Sequence, residues 1–224
     1  MKKNKIFVAC DSNNVQRVRK IIRDTKNSKI TIGYKFGLEF LNSRNGRKFI
    51  ANLKNETTFG DYKINDIPNT CANTIKSIKD LKFNYVTIHI SSGLNALKAA
   101  KKFAGNTKLV GVTILTSLDN KSLKAIGFNK NVKNLVLHQA KLASKAKLDA
   151  IVCSAQEVNT VRTVFKKEII TPGIRLNYVA NDQKRIQNPK QAFRNGADWL
   201  VIGRNITKGN IKKNIKLLID HLNQ

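Results

Sequence analysis

The chain has 224 residues, 42 Lys and Arg against 14 Asp and Glu, and 41% hydrophobic residues. That apolar share builds a full core, which excludes a disordered basic protein and leaves a single globular domain over residues 1–224 as the expectation. A net charge of +28 invites polyanionic partners, yet Lys is spread through every segment, no five basic residues are consecutive and aromatic residues are only 7%, so nucleic-acid binding is not favoured.

The opening apolar run, residues 6–10, is shorter than the roughly 7–15 residues of a secretion signal, and no stretch reaches the roughly 18 of a membrane span. A first strand is expected over residues 6–11 (IFVACD), followed by Val15, Val18, Ile21 and Ile22 at helical spacing. The second strand is read at 30–35 and the third at 56–63 (ETTFGDYK), with Cys71, Ala72, Ile75 and Ile78 on the next helix. The fourth falls at 85–90 and the fifth at 109–116, with an extra short helix near residues 122–126. The sixth, 150–154, leads to Val158, Val161, Val164 and Phe165; the seventh, 168–175, leads to Asn188 as N-cap with Pro189 at the first helical position. The eighth is 199–204, before a closing helix marked by Ile211, Ile215, Leu218, Ile219 and Leu222. Eight near-equal units with a terminal helix predict an α/β fold, a closed (β/α)8 TIM barrel rather than an open doubly wound sheet.

In such a barrel the chemistry collects where strands end. Those ends carry Asp11, Lys35, Asp61 with Lys63, His89, Thr116, Ser154, Arg175 and Arg204. The densest group is residues 61–66 (DYKIND): alternation puts Asp61 and Lys63 on one side, and the carboxylates of Asp61 and Asp66 favour a cationic Lys63 that can act as an acid. TPGIR (171–175), NDQKR (181–185) and IGR (202–204) follow the seventh and eighth strands, the usual phosphate position, where Arg204 offers a guanidinium and Gly203 an approachable backbone. His89 reads as a hydrogen-bonded strand-end residue, and Trp199 and Cys153 as core. His138 and His221 have no partner at metal-ligand spacing, Ser154 has no triad, and Cys10, Cys71 and Cys153 form no CxxC, so neither metal nor disulfide is expected and a reducing cytoplasm is the simplest location.

With these residues in view, the chain resembles the orotidine 5′-phosphate decarboxylases over nearly its whole length. The matching segments are VACD (8–11), YKFG (34–37), DYKINDIPNT (61–70), TILTS (113–117), VCSAQE (152–157), TPGIR (171–175), DQKRI (182–186) and VIGRNI (201–206). The resemblance implies a cofactor-independent decarboxylase making uridine 5′-phosphate, with Lys63 protonating C6 of the pyrimidine, Asp61 beside the departing carboxylate, and Lys35, Asp61, Lys63 and Asp66 in an alternating charge network. It implies Asp11 and Lys35 at the ribose, Thr116 at the pyrimidine, and Arg175, Gln183, Gly203 and Arg204 around the phosphate. It also implies a homodimer in which Asp66 and Thr70 complete the partner's site. Asn65 stands where the family usually has His, Ser92 where it has Gly, and Leu176 and Asn205 where it has Pro. The rivals are a magnesium-dependent sugar-phosphate decarboxylase or aldolase, which shares a DxKxxD string, and a basic RNA-binding barrel.

Overall fold

Each of the eight apolar runs forms a strand, because β-branched and aromatic residues suit positions buried on both faces of a parallel sheet. The computed structural model describes residues 3–176 and 187–223. Its strands are β1 (Lys5–Ala9), β2 (Thr31–Phe36), β3 (Thr57–Ile64), β4 (Tyr85–His89), β5 (Lys108–Val112), β6 (Ala150–Val152), β7 (Glu168–Thr171) and β8 (Trp199–Ile202). They pair in chain order, all parallel, and β8 returns to β1, closing the expected barrel.

Several strands are shorter than the apolar runs suggest. β5 stops at Val112 because its neighbour β6 ends at Val152, leaving no ladder partner further on. β7 stops at Thr171 because Pro172 has no N–H to donate and Gly173 turns the chain with φ +76°. Thr116 and Arg175 therefore stand on loops rather than strand ends. The helices follow their predicted faces: Val15–Thr25 buries Val18, Ile21 and Ile22, and Ile211–Asn223 buries Ile211, Ile215, Leu218 and Ile219. Asn188 accepts from Gln191 N at 2.9 Å with Pro189 in the first turn, and the extra short helix occupies Asn120–Ala125. The helix after β6, Val158–Arg162, ends three residues before Phe165.

Two apolar layers result. The larger lies between sheet and helices, and the smaller fills the barrel with Phe7, Phe59, Tyr85 and Trp199 among others. Phe7 is the hub, with ring centroids 4.0 Å from Trp199, 5.0 Å from Phe59 and 5.3 Å from Tyr85. It fits because β2 has Gly33 opposite, where a Cβ would come within 2.6 Å of the Phe7 ring. The inward positions then climb two residues at a time: Phe7, Ala9 and Asp11; Phe59 and Asp61; Trp199, Val201 and Gly203. A plugged lower barrel thus lifts polar residues to the upper rim. Among the described residues, no helix is long and apolar enough to cross a membrane.

Candidate active site

At that rim lies a cavity of about 280 Å³, with Ala9, Phe59, Val112, Val152 and Val201 as apolar lining. Asp11, Lys35, Asp61, Lys63, Arg175 and Arg204 supply its charge, while Thr116 and Gly203 line it as well. Eight of the residues singled out by sequence thus share one mouth.

Four of them form a chain of alternating charge. Lys35 Nζ lies 3.1 Å from Asp11 Oδ1 and 3.4 Å from Asp61 Oδ2, and Lys63 Nζ donates to the same Asp61 oxygen at 2.7 Å. The order is Asp11, Lys35, Asp61, Lys63, so Asp11 extends the chain at the Lys35 end, opposite the Lys63 end where the resemblance puts Asp66. Asp66 stands outside this cluster: the chain leaves β3 at Ile64 and turns into the helix Pro68–Ser77, where Asp66 is exposed and accepts from Ile67 N at 2.7 Å. Among the described residues, Asp61 is therefore the one carboxylate that holds Lys63 within a single chain. Thr70 is also exposed, on the first turns of that helix.

Simple strand alternation does not by itself bring Asp61 and Lys63 together. Gly60 pairs with Val86 but Ile64 with Ile88, so four steps along β3 match two along β4, a bulge that gives the strand two extra residues. Lys63 takes φ +49° inside it, a left-handed conformation costing a non-glycine residue about 1 kcal/mol. Such strain persists where neighbours over-determine it. Thr87, fully buried on β4, accepts from Lys63 N at 2.8 Å and bonds Asp61 Oδ1 at 3.1 Å. Past the bulge, Ser92 Oγ donates to Asn65 Oδ1 at 2.9 Å. Two of the departures from the family pattern are thus hydrogen-bonded to each other.

The electrostatics follow from this packing. Burial acts to raise the carboxyl pKa of Asp61, but the charges of Lys35 and Lys63, with hydrogen bonds from Lys63 and Thr87, outweigh it and hold Asp61 below its ordinary value. Burial acts to lower the pKa of Lys35, and the opposing charges of Asp61 and Asp11 leave it raised. Asp61 therefore adds stability that is complete above the unfolded carboxylate value of about 3.9 and lost as pH falls through the folded one; Lys35 adds stability that is complete below about 10.4 and lost as pH rises. The stability gap between wild type and Asp61→Asn, read from thermal unfolding, should be level from about pH 5 to 9 and narrow below about pH 4. A gap that closes already at pH 6 would contradict this pairing. His89 at the end of β4 is half-buried, and burial, then the Lys63 charge, lowers its pKa, so it is neutral at pH 7; contrary to expectation it has no hydrogen-bond partner among the described residues.

The two arginines of the cavity come from the loops. Arg175, buried, follows β7, where its N–H donates to Gln187 O at 3.1 Å, and Arg204 opens the short helix Arg204–Thr207 after β8. Gln183 lies outside the described residues. Sequence reading passed over Thr87 and Gly37. A Cβ at Gly37 would stand 3.0 Å from Asp11 Oδ1 and 3.3 Å from Lys35 Nζ, crowding that ion pair. Thr87 carries a signal in retrospect, being the polar inward position between Tyr85 and His89.

Residues 4–214 match the family model described as Orotidine 5′-phosphate decarboxylase / HUMPS family. The orotidine 5′-phosphate decarboxylase of Wolbachia sp. subsp. Brugia malayi (strain TRS) is 41% identical over 222 residues, covering 96% of this chain and 97% of that protein. That of Carboxydothermus hydrogenoformans is 39% identical over 215 residues, covering 90% and 88%. Among solved structures, orotidine 5′-phosphate decarboxylase from Lactobacillus acidophilus superposes with a TM-score of 0.83 at 28% identity, covering 100% of both chains.

Proposed function

The chain belongs to the orotidine 5′-phosphate decarboxylase / HUMPS family, and on that premise we propose that Lys63 is the proton donor and Asp11, Lys35 and Asp61 its charged setting. The activity is that of a carboxy-lyase, converting orotidine 5′-phosphate to uridine 5′-phosphate and carbon dioxide in pyrimidine biosynthesis. The observation that carries the residue assignment is the alternating chain on the cavity wall, with Lys63 at one end.

When the bond from C6 to the carboxylate breaks, its electron pair stays on C6 and carbon dioxide departs. Lys63 faces that developing charge as an ammonium already held in place by Asp61, so little reorganisation is needed at the moment of reaction. The Lys63 proton then passes to C6, and the neutral amine regains a proton from solvent. Arg175 and Arg204, with the backbone at Gly203, suit the phosphate, and Gln183 joins them in this reading; Thr116 and the apolar lining suit the pyrimidine.

A second copy of the chain completes the site in this reading, within a cytoplasmic homodimer of single-domain barrels. Asp66 and Thr70 flank Ile67, a large apolar side chain 66% exposed, and a patch of that kind is suited to cover by another subunit. The magnesium-dependent sugar-phosphate enzymes and the RNA-binding barrel are not favoured, since relatives matching nearly end to end are orotidine 5′-phosphate decarboxylases. Loss of orotidine 5′-phosphate absorbance should proceed at the same rate, within about twofold, with and without excess EDTA. Turnover that disappears with chelator and returns with magnesium would overturn the metal-independent reading.

A further inference from the structure

We propose that Thr87 is a positioning residue for the decarboxylation, one hydroxyl that fixes the carboxylate of Asp61 and the backbone of Lys63 relative to each other. The inference rests on the assignment of Lys63 and Asp61 above and extends it to a residue on a different strand.

A threonine hydroxyl has one proton to give and lone pairs to accept with. Here both capacities are used. The proton goes to Asp61 Oδ1 at 3.1 Å, and the oxygen accepts the Lys63 N–H at 2.8 Å. The second bond matters because the bulge takes Lys63 out of the regular ladder between Gly60 and Ile64, so its N–H needs a partner from elsewhere. Thr87 supplies it from the strand whose register is displaced. The first bond leaves Asp61 Oδ2 to the two ammonium groups, Lys63 at 2.7 Å and Lys35 at 3.4 Å, and gives Oδ1 a neutral donor. Thr87 has no exposed surface, so no water replaces either contact in the folded protein. The side chain therefore sets where the ammonium starts and which way the carboxylate turns, without lining the cavity itself.

The test compares Thr87→Val, which keeps the shape and removes both bonds, with Thr87→Ser, which keeps the hydroxyl. In steady-state decarboxylation of orotidine 5′-phosphate, Thr87→Val should lose about 10- to 100-fold in kcat while KM changes by less than about threefold, and Thr87→Ser should recover most of that loss. Weaker support for an ionised Asp61 should also move the acid limb of the kcat profile of Thr87→Val to higher pH. Normal turnover in Thr87→Val overturns the proposal, as does a Thr87→Ser variant as impaired as Thr87→Val, which would assign the effect to the methyl group's packing. Lys63→Ala is assayed alongside. If that variant keeps full activity, the underlying assignment fails and the Thr87 role falls with it; if it is inactive while Thr87→Val is normal, only the Thr87 role is overturned.

Discussion

Lys63→Ala is expected to lower kcat for orotidine 5′-phosphate by about 10⁴-fold or more, because it removes both a fixed cation facing the developing carbanion and the acid that quenches it. Each effect alone is worth about 10²-fold or more, and the two fall on the same transition state. Uridine 5′-phosphate should still bind within about tenfold of wild type, since Arg175, Gly203 and Arg204 lie on other loops of the cavity. Asp61 would keep Lys35 at 3.4 Å and Thr87 at 3.1 Å, so its carboxylate is not left unpaired and the variant should fold. Isothermal titration with uridine 5′-phosphate beside a decarboxylation assay reads both quantities. Near-normal kcat would remove Lys63 from the mechanism.

The second large effect concerns Asp66. In the proposed homodimer, Asp66→Asn and Lys63→Ala should each be inactive alone, yet a mixture allowed to exchange subunits should recover activity. A hybrid dimer then contains one site with Lys63 from one chain and Asp66 from the other, and one site lacking both. Random exchange makes half the dimers hybrids with one working site of two, so about a quarter of wild-type turnover is the ceiling. Within a single chain Asp66 is exposed and bonded to Ile67 N, away from the ion-pair chain through Lys35, which leaves it open to the action across an interface that the family resemblance implies. Subunits shown to exchange by mass spectrometry but still inactive would rule that assignment out.

Much of the architecture was legible because two periods report it directly: alternation of two on strands whose inward residues include Phe7 and Ala9, and helical spacing on faces such as Val18, Ile21 and Ile22. Strand ends were less legible. β7 runs into Pro172, while β5 ends where β6 gives out, and that depends on a neighbour about forty residues away rather than on local composition. The charged quartet was half readable. Asp61 and Lys63 are neighbours in sequence, but their geometry depends on two extra residues in β3 and a left-handed Lys63, which a period of two does not encode. Thr87 belongs to the same class, because it matters only once β4 is known to lie beside the bulge. Asn65 and Ser92 look like separate departures from the family pattern until their hydrogen bond makes them one local arrangement.

The aromatic plug has a consequence for traffic. Phe7, Phe59, Tyr85 and Trp199 close the barrel from below, each no more than 4% exposed. Among the described residues, that end of the barrel is filled by side chains. In the proposed reaction carbon dioxide therefore leaves by the mouth that admits the nucleotide, so gas and nucleotide share a common door.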